Sequence, residues 1–135
     1  MANEAVIIEL LGNGGDPISM GCADGAGIAK GTICVLQDDR IVAAGDGTPG
    51  FGGIAAMEKV SGDGSERISV YTFGIFDLHF AEDDETAAGG RLVVQSAANT
   101  VGSVGAGDSL TAFAGITLET GTSLGTHAVL VGSGL

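Results

Sequence analysis

Large aromatic side chains are scarce in this sequence. The 135 residues include no tryptophan, one tyrosine and five phenylalanines. The core must therefore be built mainly from Ile, Val, Leu and Ala. The same scarcity argues against a surface that binds glycans by stacking sugars on aromatic rings.

Basic residues are also few. Five Lys and Arg stand against 17 Asp and Glu, which gives a net charge of −12. Nucleic acid and anionic lipid both require a cationic partner surface, so neither is an expected partner. Two interpretations of the acidic excess stay open at this point: adaptation to high salt, and ordinary solubility.

Cysteines are limited to Cys22 and Cys34, with no CxxC pair and no zinc-type Cys/His spacing. Cys34 lies between Ile33 and Val35 in a predicted strand, which favours a buried free thiol over a disulfide with Cys22. The N-terminal residues lack the basic segment of a signal peptide. No apolar run reaches the length of a membrane helix.

Strand patterns dominate what the sequence does contain. The most regular stretch is Phe51–Leu78. In it a Gly/Asp-rich turn at Val60–Ser65 precedes a run in which the β-branched residues Ile68, Val70 and Thr72 alternate with Ser69, Tyr71 and Phe73. This period of two predicts a β-strand. Gly53, Gly74 and Gly115 are expected at turns or bulges, because glycine inside a strand pattern usually marks one.

The strand pattern extends over most of the chain and is partly repeated. Further strands are predicted over 31–36, 40–44, 91–95, 101–104, 110–119 and 126–131, with Ile54, Val70 and Ile116 pointing inward. The repeat relates Gly31–Leu36 to Gly90–Val94, Gly53–Glu58 to Gly115–Glu119, and Ile68–Gly74 to Ala128–Gly132. Short strands at regular spacing predict an all-β fold, a small glycine-rich barrel or sandwich with an internal duplication.

The N-terminal segment has a different pattern. Apolar side chains cluster before the glycine-rich break Gly12–Pro17, at Val6, Ile7, Ile8, Leu10 and Leu11. We predict an N-terminal arm and hinge over 1–15 and a β-rich domain over 16–135. The alternative is that the segment forms the first strand of the domain.

The sequence predicts neither catalysis nor a cofactor or metal site. Gly25–Thr32 resembles a phosphate loop, but its Lys precedes the last glycine and the segment leads into a strand. His79 stands near the acidic run Glu82–Glu85, whose consecutive carboxylates favour a solvated loop over a metal site. We therefore expect no catalytic residue, no cofactor and no metal, and the protein is not expected to be an enzyme.

Four segments together resemble the small capsid decoration, or cement, proteins of tailed viruses. They are Ala29–Ala44, Phe51–Ala55, Ile68–Phe76 and Gly115–Glu119. The resemblance spans roughly residues 18–131. It implies a β-tulip-type domain, made without a signal peptide in the host cytoplasm. Such a domain binds the outer surface of the virion head as a homotrimer, with the major capsid protein as its partner.

Two other functions stay open from the residues alone. One is a small β-barrel module that binds a small ligand or a glycan. The other is a carrier domain with a cofactor on Lys59, although the tight turn Gly62-Asp63-Gly64 follows this lysine rather than containing it. Within the favoured interpretation, Val6, Ile7, Ile8, Leu10 and Leu11 are the candidate capsid-binding residues.

Overall fold

A computed structural model of the chain describes residues 4–9, 16–45, 50–80, 92–97, 99–103, 113–119 and 125–132. A short 3-10 turn, Asp38–Arg40, separates the third and fourth strands of this part. The strands are β1 Val6–Glu9, β2 Ile18–Gly21, β3 Ile33–Leu36, β4 Val42–Ala44, β5 Phe51–Ala55, β6 Arg67–Tyr71, β7 Gly74–Phe80, β8 Leu92–Ala97, β9 Thr100–Ser103, β10 Phe113–Thr117 and β11 Thr126–Val131.

The strands form two sheets. One has five strands in the order β2-β6-β5-β3-β4, and the other has six in the order β1-β7-β11-β10-β8-β9. All pairings within these orders are antiparallel, and β9 also lies parallel beside the end of β7. The predicted all-β fold is confirmed, because the β-branched and apolar alternation seen in the sequence satisfies its backbone groups in these ladders.

The two sheets have the same topology. If β1 is set aside, β7-β11-β10-β8-β9 repeats the connections of β2-β6-β5-β3-β4. A parallel contact between the two ends of this strand order is also repeated. Gly21 lies opposite Ile41 in the five-stranded sheet, and His79 lies opposite Thr100 in the six-stranded sheet. The internal duplication predicted from the sequence is therefore present in the strand order.

The strand registers agree as well. Gly53 lies opposite Cys34 in the five-stranded sheet, and Gly115 lies opposite Val93 in the six-stranded sheet. Both pairs stand next to a register shift, with Phe51 and Phe113 as the next paired residues. Equivalent residues thus make equivalent pairings, so a position in one sheet can be compared directly with its counterpart in the other.

The core consists of two clusters of buried side chains. The larger cluster joins the sheets, since Ile33 and Ile54 of the five-stranded sheet pack with residues of the other sheet such as Phe76, Phe80 and Val129. The smaller cluster is formed by the five-stranded sheet and the loop after β2, and it includes Cys22, Cys34 and Val70. Both cysteines are free and buried, which confirms the free-thiol prediction. Burial raises the pKa of Cys34 to about 12.

Two predictions about individual strand residues need correction. Gly74 does not bend one continuous strand. It begins β7 at φ 154°, and the chain changes sheets between β6 and β7. Ile116 is only half-buried, whereas its counterpart Ile54 and the predicted core residue Val70 are buried. Gly53 and Gly115 do lie beside bulges, as the sequence indicated.

Among the described residues, no helix is long and apolar enough to cross a membrane.

Candidate functional site

The predicted capsid-binding segment begins within the six-stranded sheet. Val6 lies opposite Asp77 and Ile7 lies opposite Phe76, so β1 is paired along β7. Ile7 packs against the larger core cluster, whereas Val6 is 60% exposed. The alternation of strand side chains between the two faces accounts for this difference. Val6 is therefore the residue of this segment that the described structure leaves open to a partner.

The structure corrects the prediction of a separate arm for residues 6–9. These residues form β1 and pair with β7 in the six-stranded sheet. An apolar strand placed beside β7 satisfies its backbone groups and buries Ile7, so pairing is favoured over a free arm. The side chain of Ile8, both Leu10 and Leu11, and the predicted hinge residues 12–15 lie outside the described residues.

The start of the chain also connects the two sheets. The Ala5 backbone N–H donates a hydrogen bond of 2.6 Å to the carbonyl of Gly31, just before β3. Gly31 has φ +87°, and a Cβ atom at this position would lie 2.7 Å from the Ala5 carbonyl oxygen. Only glycine permits this close approach of two backbones.

A second connection between the sheets is a buried side chain. Asn99 precedes β9 in the six-stranded sheet, and its Oδ1 accepts a hydrogen bond of 2.9 Å from the backbone N–H of Ile33. Asn99 is 1% exposed and has φ 56°, a conformation that asparagine tolerates better than most residues. The bond crosses the same interface as the larger core cluster.

The five-stranded sheet has an open edge where the other sheet carries β1. Ile18 of β2 pairs with Val70, and its counterpart Phe76 pairs with Val129. Phe76 is fully buried, with Ile7 of β1 beside it, but Ile18 is 42% exposed. Among the described residues, no strand lies along this edge of β2 at Ile18 and Ser19.

Two arginines converge on this open edge. Arg67 donates from Nε and Nη2 to the Ser19 hydroxyl oxygen at 3.1 and 2.8 Å. Arg40 donates from Nη2 to the Ser19 carbonyl oxygen at 3.4 Å. Neither arginine forms an ion pair with another described residue. Two of the five basic side chains of a strongly acidic protein thus meet at one exposed point.

A lysine cluster connects the loop after β2 to the loop between β5 and β6. Lys59 is 3% exposed, and its Nζ lies within hydrogen-bonding distance of four oxygens. Two belong to Asp24, one to the Asp63 carboxylate at 2.7 Å, and one to the Val60 carbonyl. The Asp24 and Asp63 carboxylates also accept the backbone N–H groups of Gly64 and Ser65.

The protonation states of this cluster follow from its contacts. Burial alone would lower the pKa of Lys59, but hydrogen bonds to Asp63 and Asp24 outweigh it and raise the pKa overall. The Lys59 ammonium and the Ser65 N–H together lower the pKa of Asp63. An ammonium held in this way is a fixed structural link between two loops. The sequence contained one signal for it, the four-residue spacing of Lys59 and Asp63, and no signal for Asp24.

The other chemical candidates are not brought together. The described residues contain no group of three His, Cys, Asp or Glu side chains that could hold a metal ion. The acidic run Glu82–Glu85 lies outside the described residues. The carrier-domain interpretation is not supported, because the Lys59 ammonium is buried and fully bonded rather than presented at a turn.

An open depression of about 300 Å³ borders the lysine cluster, lined by residues 27–29 and 58–61. Its volume is at the lower limit for small-molecule pockets. Its lining includes two charged residues: Glu58, which is exposed, and Lys59, whose ammonium has no free donor. Neither a protein-family model nor a curated protein sequence matches the chain.

Proposed function

We propose that the protein is a capsid decoration protein. It binds the outer surface of an assembled tailed-virus head and stabilises the contacts between neighbouring major capsid protein subunits. In this proposal it acts as a homotrimer on the virion and needs no cofactor. The proposal begins from the resemblance of the sequence to capsid cement proteins.

One observation carries the proposal beyond the resemblance. The Gly-Ile pairs that contribute to it, Gly53-Ile54 and Gly115-Ile116, occupy equivalent bulge-flanking positions in the two sheets. Glycine is required at both: a Cβ at position 53 would lie 2.6 Å from the Tyr71 carbonyl oxygen, and one at 115 would overlap the Leu130 carbonyl. The Gly-Ile motif therefore coincides with the repeated part of the fold. A chance similarity in composition would explain this coincidence less well.

The exposed apolar side chain on β1 is the first candidate contact with the head. Val6 is on a strand that is held in place by β7, so its burial in a capsid interface would cost little ordering of the backbone. Burying the exposed part of Val6 contributes at most about 1.5 kcal/mol, the lower end of the range for full burial of an apolar side chain. A weak contact of this size is sufficient where many copies bind one particle and each binds more than one subunit.

The test is co-sedimentation of the purified protein with expanded heads that lack it, taken from the virus that encodes the chain. We expect saturable binding at a fixed ratio to the major capsid protein. Val6→Asp should lower the affinity by about tenfold or more, since it removes the apolar contact and adds a charge. Met57→Asp is the matched control, because Met57 is also exposed but lies on the β5–β6 loop. Absence of parent binding would refute the proposal.

The alternative function, a ligand- or glycan-binding module, is less well supported. The depression beside Lys59 offers no converging free polar groups, and exposed aromatic side chains that could stack on a sugar are scarce. No observation in the described part of the chain favours it over the decoration function.

A further inference from the structure

We infer that the open edge of β2 is a second docking site, and that it binds an extended, acidic segment of the major capsid protein as an added β-strand. The inference rests on the proposed function and names the chemistry of the partner. One protomer would then bind capsid protein through both of its sheets. Three features of the described residues support it: the empty counterpart position, the direction of the backbone groups, and the two arginines.

A comparison of the two sheets identifies an edge position that a described strand fills in only one of them. In the six-stranded sheet an extended segment, β1, lies along β7 and brings Ile7 beside Phe76. The equivalent residue of the other sheet, Ile18, faces the same side as the buried Val70 with which it pairs, yet it is 42% exposed. Among the described residues no second strand flanks Ile18, so this inward-facing side chain remains exposed. A strand bound along β2 would cover it as β1 covers Phe76.

The backbone along this edge is able to accept a strand. The Cys22 N–H bonds to the Glu66 carbonyl, so the even-numbered residues of β2 direct their backbone groups toward β6. The N–H and C=O of Ser19 consequently point to the open edge, where Arg40 already reaches the carbonyl. Pro17 has no N–H, which limits the paired stretch to the region of Ser19. The expected addition is one short strand rather than an extended ladder.

The arginines specify the partner's charge. Arg40 and Arg67 both donate hydrogen bonds to Ser19 and have no carboxylate partner among the described residues. The bond from Arg40 to the Ser19 carbonyl is long and exposed, so it is easily exchanged for a carboxylate. A strand that carries Asp or Glu near Ser19 would form charge-assisted hydrogen bonds with both guanidinium groups. Addition of an extended segment to a sheet edge, with side chains giving specificity, is a common mode of peptide recognition.

A second copy of this chain is a poorer occupant. Its available extended edge is β1, and there the Ala5 N–H is already bonded to the Gly31 carbonyl of its own chain. A separate capsid protein segment is not restricted in this way.

The experiment measures head binding by co-sedimentation for the full-length parent and two double variants. Arg40→Gln with Arg67→Gln removes both guanidinium groups and brings the net charge to −14, from −12 minus two positive charges. Met57→Glu with Val60→Glu reaches the same net charge on the loop between β5 and β6, at two exposed apolar residues. The arginine variant should bind heads at least about tenfold more weakly than the parent, because it loses charged hydrogen bonds. The control should stay within about twofold.

Cross-linking identifies the occupant. Ile18→Cys and the control Met57→Cys would be labelled with a thiol-reactive photo-cross-linker, which the native cysteines resist because both are buried. Irradiation on heads should join the Ile18 site to an acidic segment of the major capsid protein. Joining to another copy of this chain would overturn the inference, and so would unchanged binding by the arginine variant. If the parent itself fails to bind heads, the proposed function and this inference are both overturned.

Discussion

The buried hydrogen bond between Asn99 and Ile33 makes the clearest test of how the two sheets are held together. Asn99→Ala removes the acceptor and leaves the Ile33 N–H buried without it, which costs about 1–3 kcal/mol. Alanine must also adopt the φ of 56° found at this position, which adds about 1–2 kcal/mol. The expected total is a loss of about 2–5 kcal/mol in the free energy of unfolding.

Asn99→Gly separates the two contributions, because glycine loses the acceptor but adopts a positive φ without strain. We expect it to cost less than the alanine variant despite its greater backbone entropy. The assay is urea unfolding followed by far-UV circular dichroism, since the chain has no tryptophan for fluorescence. A loss below about 1 kcal/mol for Asn99→Ala would refute the reasoning. Two separate transitions would indicate that this contact is required for the sheets to unfold as one unit.

Three further predictions concern single features. Lys59→Met should destabilise the protein most between about pH 4 and 10. The raised Lys59 pKa contributes stability below the ordinary value of 10.5, and the lowered Asp63 pKa contributes it above 3.8. A pH-independent difference in urea midpoint would contradict this. Gly115→Ala should prevent stable folding, whereas Gly25→Ala, whose methyl group meets nothing within 4 Å, should leave the melting temperature nearly unchanged. Removal of residues 1–13 should lower the free energy of unfolding by about 2–4 kcal/mol, because β1 is lost. An unchanged thermal midpoint would mean that β1 does not contribute to the stability of the domain.

Strand patterns and the repeat were predictable because both can be read directly from the order of the residues. The alternation over Ile68–Val70 and the recurrence of the Gly-Ile pair are visible in the sequence, and β6, β5 and β10 follow from them. The separation of β6 from β7 at Gly74 was not predictable in the same way. A glycine at a bulge and a glycine at a change of sheet have the same sequence pattern, and only the tertiary pairing distinguishes them.

The candidate docking edge depends on contacts between residues distant in sequence. Ser19, Arg40 and Arg67 come from three separate segments, and no spacing rule relates them. Ile18 is exposed because no described strand lies beside it on that edge of β2. Its exposure becomes informative only when it is compared with the buried Phe76, which has β1 beside it. The N-terminal segment was ambiguous for a related reason: an apolar stretch before a glycine-rich break fits both a free arm and an edge strand.

The positions of the strands along the chain also set the order in which the protein can assemble as it is synthesised. All five strands of the smaller sheet lie within one continuous stretch, from Ile18 to Tyr71, so that sheet can be paired before the second half of the chain exists. Strand β1 is made before its partner, Ile75–Asp77 of β7, and must stay unpaired until that partner has been made. Nascent chains therefore expose the apolar residues Val6 and Ile7 for as long as the intervening residues take to emerge. This interval is when the N-terminal segment is most vulnerable to aggregation, and slower translation before β7 would lengthen it.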